Sequence, residues 1–400
     1  MKNADLPQSP EERQTILAQL RASKMARSTH AYVRGNTAKF YEWLADSAAA
    51  QEIPAGPPVW ICGDCHLGNL GPLADIDGRI DVQIRDLDQT VIGNPAHDLI
   101  RLGLSLASAA RSSDLPGVTT AKMIEEMIIG YERALIDPAE GDAVAEPLAV
   151  RTVRGRALGR RWRHLAQERL EGIAPTIPLG RKFWALLPDE RASLAAIFAD
   201  RAVRRLILNL HGRGEDSAVE LVDAAYWMKG CSSLGTLRFA ALVRINDDKP
   251  GPLALIDLKE ALASVAPAAD NAEMPADHAE RVVAGARALS PNLGDRMTAT
   301  SMAGRPLVVR ELMPQDLKLE VDQFSRGEAA KAARYLAHVV GLAHARQMDA
   351  PTRRSWRAEL NRRHSGTLDA PSWLWSSVVS LVASHEAGYL QHCRQYAARL

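Results

Sequence analysis

The sequence predicts an α+β protein of two lobes, and three observations carry that reading. Four hundred residues exceed what one ordinary hydrophobic core organises. Apolar residues recur at helix-like spacing over residues 10–50, 94–217, 327–348 and 372–397. Between these stretches, apolar residues alternate around residues 237–245 as in a strand, and 253–259 and 306–312 read as further strands. The predicted organisation is a helical lobe over residues 1–220, a small β-rich lobe over 221–315, and helices over 316–400 that complete the large lobe.

In the first stretch Ile16, Leu17, Leu20 and Met25 mark the apolar face. Residues 58–92 read as short strands and turns, with Asp77-Gly78 a hairpin signal between two apolar runs. Residues 151–163 are strongly basic and read as a solvated helix face. Residues 277–289 form the one helix expected inside the β-rich lobe, and the aromatic stretch from Trp373 to Tyr389 reads as core packing. No internal repeat or low-complexity linker interrupts the chain.

Composition narrows the function classes. Apolar content of 46% with 24% charged residues belongs to a globular protein, and a net charge of +1 argues against general nucleic-acid binding. No apolar run reaches the length of a membrane span, and the first residues lack a signal-peptide core. Four cysteines, Cys62, Cys65, Cys231 and Cys393, form no disulfide framework, so a reduced, cytoplasmic protein is expected.

The chemistry concentrates in residues 61–71, Ile-Cys-Gly-Asp-Cys-His-Leu-Gly-Asn-Leu-Gly, followed by Arg85-Asp86-Leu87-Asp88. The cysteines spell C-x-x-C-H, a c-type haem attachment motif. A chain without an export signal, with a strand running straight into the motif, disfavours haem, and the cysteines read as small residues packing a tight loop. The polar groups read as G-D-x-H-x-x-N followed by D-x-D, the pattern phosphoryl transfer needs: a carboxylate facing the acceptor and oxygen ligands holding magnesium against phosphates. Asp64 is the candidate base; Asn69 and Asp86 are candidate metal ligands, with Asp88 accessory. His66, His97 and His344 are expected to be packed rather than ligating.

In the β-rich lobe, Gly230, Ser232, Ser233 and Gly235 precede a strand and offer a turn whose N–H groups can approach phosphates. Lys259 ends the next strand, where it can reach a nucleotide's phosphates if a helix carboxylate holds it. Glu280 is the candidate for that carboxylate and Glu273 its competitor. Arg34 is a further candidate for phosphate or a loop carboxylate.

With these motifs in place, the chain resembles the bacterial domain-of-unknown-function family numbered 2252, which belongs with protein-kinase-like and aminoglycoside-phosphotransferase-like folds. The resemblance runs through Tyr32-Val33-Arg34-Gly35, the Gly63–Gly71 loop, Arg85–Thr90, Asn94–Leu102, the glycine turn, Leu258–Ala261, Val309–Leu312 and Ala343–Arg346. It implies a bilobal kinase-like fold. Because the catalytic loop here precedes the glycine turn, it further implies a circular permutation. Under it, Asp98 resembles the helix aspartate that braces the catalytic loop, and an N-cap role for the Leu99–Ala109 helix is compatible with that.

The expectation is therefore an ATP- and Mg2+-dependent phosphotransferase with a small-molecule hydroxyl acceptor, and with neither membrane nor nucleic-acid partner. AMP transfer on the same fold and a non-catalytic nucleotide-binding protein are the alternatives.

Overall fold

The computed structural model describes residues 9–137, 143–210, 212–230, 234–246, 251–319, 326–361 and 370–397. Its first helical stretch is broken in three: α1 (Pro10–Ala26), α2 (Thr29–Gly35) and α3 (Thr37–Asp46). Ser28 and Asn36 mark the two breaks, and they, like Ser9 ahead of α1, each accept a hydrogen bond from the backbone N–H three residues on. Short strands follow: β1 (Val59–Ile61), β2 (Leu70–Ala74), β3 (Ile80–Ile84) and β4 (Val91–Gly93). β2 and β3 form the expected hairpin, turning at Gly78 with a positive φ of 81°. β1 pairs with β4, and the Gln347 side chain hydrogen-bonds both the N–H and the C=O of Trp60.

Helices α4 (Ala96–Ser112), α5 (Gly117–Ala134), α6 (Leu148–Leu158) and α7 (Trp162–Leu170) come next, then strand β5 (Phe183–Trp184) and helices α8 (Pro188–Ala199) and α9 (Arg201–Leu208). The remaining elements are β6 (Ala218–Trp227), β7 (Arg238–Asn246), β8 (Leu253–Glu260), α10 (His278–Leu289), α11 (Pro291–Gly294), β9 (Met297–Met302), β10 (Arg305–Leu312), α12 (Arg326–Ala345), α13 (Ala350–Leu360) and α14 (Ser372–Ala397).

Six strands make one antiparallel sheet in the order β5-β6-β7-β8-β10-β9. Alternation decides what each face does. Phe239, Ala241, Val243, Ile256, Leu258, Leu307 and Val309 share a core with α8, α9 and Leu17 of α1. On the opposite face the register sets Arg238 beside Lys259, Ala240 beside Asp257, and Arg310 beside Asp257. One end of that face is apolar, where Ala240, Leu242, Leu255 and Leu312 meet Phe183, Leu165 and Leu170. Its other end carries Arg238, Asp257, Lys259 and Arg310.

The large lobe is organised around α4, which is buried along almost its whole length. Its core joins residues from α3 to α5 with others from α10, α12, α13 and α14. Two expectations shift accordingly. Trp184, Leu194, Phe198 and Ile207 belong to the core of the small lobe, so the sheet recruits residues well before 220. The apolar stripe of α10, with Val282, Val283, Ala286 and Leu289, joins the large-lobe core instead. Among the described residues no helix is long and apolar enough to cross a membrane.

Helices α5 and α12 touch through glycines: a Cβ on Gly130 would lie 1.9 Å from the Arg334 carbonyl oxygen, and one on Gly341 would lie 2.6 Å from Ala134 Cβ. Gly130→Ala therefore forces the helices apart and should lower unfolding free energy by about 1–3 kcal/mol in urea melts. Gly117→Ala, at the open start of α5 with nothing within 4 Å, should change it by less than about 0.5 kcal/mol.

Candidate active site

Between β1 and β2 the chain makes a tight turn, and Asp98 of α4 fixes it. The Asp98 carboxylate accepts hydrogen bonds from the backbone N–H groups of Cys62 (2.7 Å) and Gly63 (3.0 Å). His344 of α12 contacts the same carboxylate at 3.2 Å through Nε2, while its Nδ1 lies 2.9 Å from the Tyr131 hydroxyl, which accepts from Trp356 Nε1 at 3.1 Å. Indole can only donate, so every member of this buried chain is satisfied when Tyr131 donates to Nδ1 and Nε2–H donates to Asp98. The N-cap reading of Asp98 is corrected here: α4 starts at Ala96, whose N–H is held by the Asn94 side chain, which frees Asp98 to face the loop.

Gly63 has φ +73°, and a Cβ there would meet the Gln89 carbonyl oxygen at 2.2 Å, so the turn requires glycine. Tyr41 closes it by donating to the Gly63 carbonyl at 2.7 Å. Cys62 and Cys65 lie wholly inside the large-lobe core, and burial pushes the Cys62 thiol well up. They are packing residues of the loop, as expected.

The turn projects Asp64, and Arg101 of α4 holds it. Both contacts of Arg101 go to Oδ1, from Nε at 3.0 Å and from an η nitrogen at 2.8 Å. Arg101 also donates to the Val33 carbonyl at 2.6 Å, which ties α2 to the loop. Oδ2 of Asp64 remains for a ligand. Asn69 spends its amide nitrogen on the carbonyls of Asp86 (2.7 Å) and Asp64 (3.3 Å). That orientation keeps its Oδ1 for other partners.

Lys259 arrives from the sheet. Its ammonium pairs with Asp88 and stands 3.5 Å from Asp86 Oδ1. Burial opposes ionisation of Asp86, but Lys259, Arg310 and Arg238 outweigh it and hold its carboxyl below the usual range. Asp88 moves the other way, raised by burial and by the charge of Asp86. Behind them Asp257 binds Arg238 bidentately at 2.9 and 2.6 Å and Arg310 at 3.1 Å.

Asp64, Asn69 and Asp86 line one cavity of about 390 Å³, together with Arg34, His66 and Gly230. Lys259 and Asp88 line an adjoining crevice beside Asp86. Gly230 and Gly235 have positive φ, but Gly235 turns toward α1, where its carbonyl accepts from Gln14. Ser232 and Ser233 lie outside the described residues. His66 is buried, and that burial pushes its imidazole down to about 3, so the ring is neutral.

Glu280 requires a correction. It is exposed on α10, as is Glu273 in the preceding loop, and Asp88 takes the place beside Lys259. One position on, Arg281 faces inward and donates to the carbonyls of Asp88 (3.1 Å), Leu262 (2.8 Å) and Thr90. Consecutive helical residues diverge by about 100°, so a one-residue error puts a side chain on the wrong face. The basic run at 151–163 is largely solvated, as expected, but Arg169 just beyond it lines the cavity. Arg85, Lys229, Arg238, Arg310 and Lys318 line it too. The signal for Arg238 and Arg310 was present as charged residues within otherwise apolar strands.

Magnesium typically takes one or two protein oxygens plus phosphate and water. Asp86, with a side chain 55% exposed and held anionic, and Asn69 with its oxygen available, fit that demand. Asp88 pairs with Lys259 in this structure. Among the described residues no three His, Cys, Asp or Glu side chains cluster as an all-protein metal cage.

The fold and this constellation define a mixed α+β protein with open sheets and a strongly cationic cleft around a braced aspartate. The chain belongs to the family described as "Uncharacterized protein conserved in bacteria (DUF2252)", whose model matches residues 13–395. No curated protein and no solved structure matches it.

Two outcomes follow. Asp98→Ala strands two buried N–H groups and should cost about 3 kcal/mol or more of stability in denaturant melts. Burial, reinforced by Arg34, Arg85 and Arg169, pushes Lys318 down to about 8. It is charged below that pH and neutral above it, so tripolyphosphate affinity should fall severalfold between pH 7 and 9. Lys318→Met should flatten that dependence in calorimetric titrations.

Proposed function

We propose that the chain is an ATP- and magnesium-dependent phosphotransferase acting in the cytoplasm on the hydroxyl of a small molecule. One observation carries this reading: Lys259, about 170 residues from the D-x-D, meets Asp86 and Asp88 beside the loop that presents Asp64 and Asn69. Phosphoryl transfer needs this combination of phosphate-anchoring cation, metal-holding oxygens and acceptor-facing carboxylate, and little covalent chemistry besides.

Asn69 and Asp86 would hold magnesium, which supplies charge neutralisation at the phosphates when bound. Asp64, immobilised through Oδ1, uses Oδ2 to orient the acceptor hydroxyl and accept its proton. Lys259 exchanges Asp88 for the donor's phosphates. The turn at Gly230 offers backbone to them from the sheet side.

The chain order supports a permuted kinase-like arrangement. A sheet with α10 inserted between β8 and β9 is followed by α12, while the loop that would come next occupies the start of the chain. His344 on α12 and Asp98 on α4 meet at that loop, which is where a permuted chain has to rejoin.

Incubation with ATP labelled at the α or γ position, magnesium and a library of hydroxyl-bearing metabolites tests the reading. Transfer of γ-label, reduced about 10³-fold by Asp64→Asn with nucleotide affinity within about threefold, is expected. Movement of α-label makes the protein an AMP transferase, and turnover indifferent to Asp64 sinks both. Donor selectivity is a second readout. The sheet side of the cleft presents Arg238, Asp257 and Arg310 rather than an apolar slot for a base. ATP and GTP should therefore compete within about fivefold of each other.

A further inference from the structure

The cavity is far more cationic than a nucleotide requires. Nine lysines and arginines line it against two carboxylates, Asp64 and Asp86. Asp257 answers Arg238 and Arg310 from behind, and Lys259 is already matched by Asp88. A magnesium–triphosphate complex brings only about two net negative charges, which leaves the cavity with a surplus of positive charge even with Glu168 paired to Arg169.

The surplus has a location. Arg34, Arg85 and Arg169 come from α2, from the segment after β3 and from α7, and all three line this cavity. Each has a buried Nε–H with no hydrogen-bond partner among the described residues, while Arg169 also pairs with Glu168 at 2.9 Å and Arg85 donates to the Asp316 carbonyl at 3.2 Å. Arg13, Arg21, Arg281 and Arg353 also carry an unpartnered buried Nε–H, but among the described residues three such groups surround this one cavity, and that clustering favours oxygen acceptors from a ligand. Arg34 also belongs to the Asp64 side of the cleft. The preceding residue's carbonyl is bound by Arg101, the same arginine that holds Asp64. Its guanidinium covers Gly68, where a Cβ would stand 3.2 Å from Cζ.

We propose that the acceptor is itself anionic, a small phosphorylated polyol whose phosphate is gripped by Arg34, Arg85 and Arg169 while a free hydroxyl meets Asp64. The inference rests on the phosphotransferase reading for its reaction but not for its binding site. In the reaction the acceptor oxygen bonds to the γ-phosphorus and the bond from that phosphorus to the β–γ bridging oxygen breaks. ADP departs with the electron pair, the hydroxyl proton passes to Asp64, and the product is a bisphosphate. A polycationic acceptor of the aminoglycoside kind is excluded by the same charges. A cavity of about 390 Å³ suits a small ester rather than a polymer.

Calorimetric titration of the full chain with ribose 5-phosphate, glucose 6-phosphate and glycerol 3-phosphate, each against its unphosphorylated parent, tests this. Magnesium and the β,γ-imido analogue of ATP are held at saturation. At least one phosphorylated probe should bind at least tenfold tighter than its parent without displacing the nucleotide. Arg34→Ala should weaken that probe at least tenfold and the nucleotide analogue less than twofold, and Arg34→Lys should restore part of the loss with an unchanged melting temperature. Equal binding of probes and parents, no binding of any phosphate, or probe and nucleotide displacing one another would each overturn the proposal. Failure of the nucleotide analogue to bind, with Arg34-dependent phosphate binding intact, would overturn the phosphotransferase reading and leave the anion subsite standing.

Discussion

The Asp98 carboxylate is the constraint on which the rest of the molecule depends. A buried, unpaired charge costs several kcal/mol, and here it is answered by two backbone N–H groups and His344. These bonds do more than satisfy the charge. They fix the peptide planes of Cys62 and Gly63, and so set the direction in which the next residue, Asp64, leaves the loop. Because the chain continues through His344, Tyr131 and Trp356, the loop's geometry is anchored by α5, α12 and α13 as well as α4. The Asp64 carboxylate stands on a rigid platform whose supports lie in the large-lobe core.

The second half of the site has a different physical character. Where the sheet meets the loop, the contacts are charged: Lys259 with Asp86 and Asp88, and Arg310 donating to the Arg85 carbonyl at 3.2 Å. The opposed shifts of Asp86 and Asp88 express one fact, that two adjacent carboxylates share one ammonium. Such a cluster is preorganised for a ligand that brings its own charges, because a phosphate that displaces Asp88 keeps the Lys259 ammonium paired while Asp88, one third exposed, can face solvent. Arg281 holds the Asp88–Thr90 backbone through the carbonyls of Asp88 and Thr90 and ties it to that of Leu262.

How much of this was legible depended on the type of signal. Periodicity located β7, β8, β10, α10, α12 and α14, because apolar residues at regular spacing report which face is buried. The loop and the D-x-D were legible because their chemistry requires specific side chains at fixed separations. β6 was missed apart from a change in texture near its middle, since its outer half is only partly buried and lacks clean alternation. The helical reading of residues 10–50 overlooked three caps that a close look at Ser9, Ser28 and Asn36 could have found. Glu280 failed because type and spacing suggested a carboxylate partner for Lys259, whereas the choice between positions 280 and 281 depends on how α10 rotates against the large lobe. Arg34 was legible as a candidate phosphate-binding group, whereas Arg101 and Arg169 left no local mark, because their places at the loop and the cavity depend on how distant segments pack.

The N-terminal helix shows how such distant contacts govern the cleft. Leu17 of α1 is buried in the core of the small lobe. The carbonyls of Ala22 and Ala26 accept from His392 and Tyr389 of α14, in the large lobe. On its remaining side Gln14 and Lys24 donate to the carbonyls of Gly235 and Gly230. One helix thus spans both lobes and holds both described ends of the glycine turn. Opening the cleft by rotation of the sheet must either break the contacts of α1 with α14 or strip Leu17 from its core, and burying a leucine is worth about 1.5–3 kcal/mol. The separation between Gly230 and Asp64 is therefore restrained by α1, and a ligand that fills the cleft enters a site whose width was largely set when the chain folded.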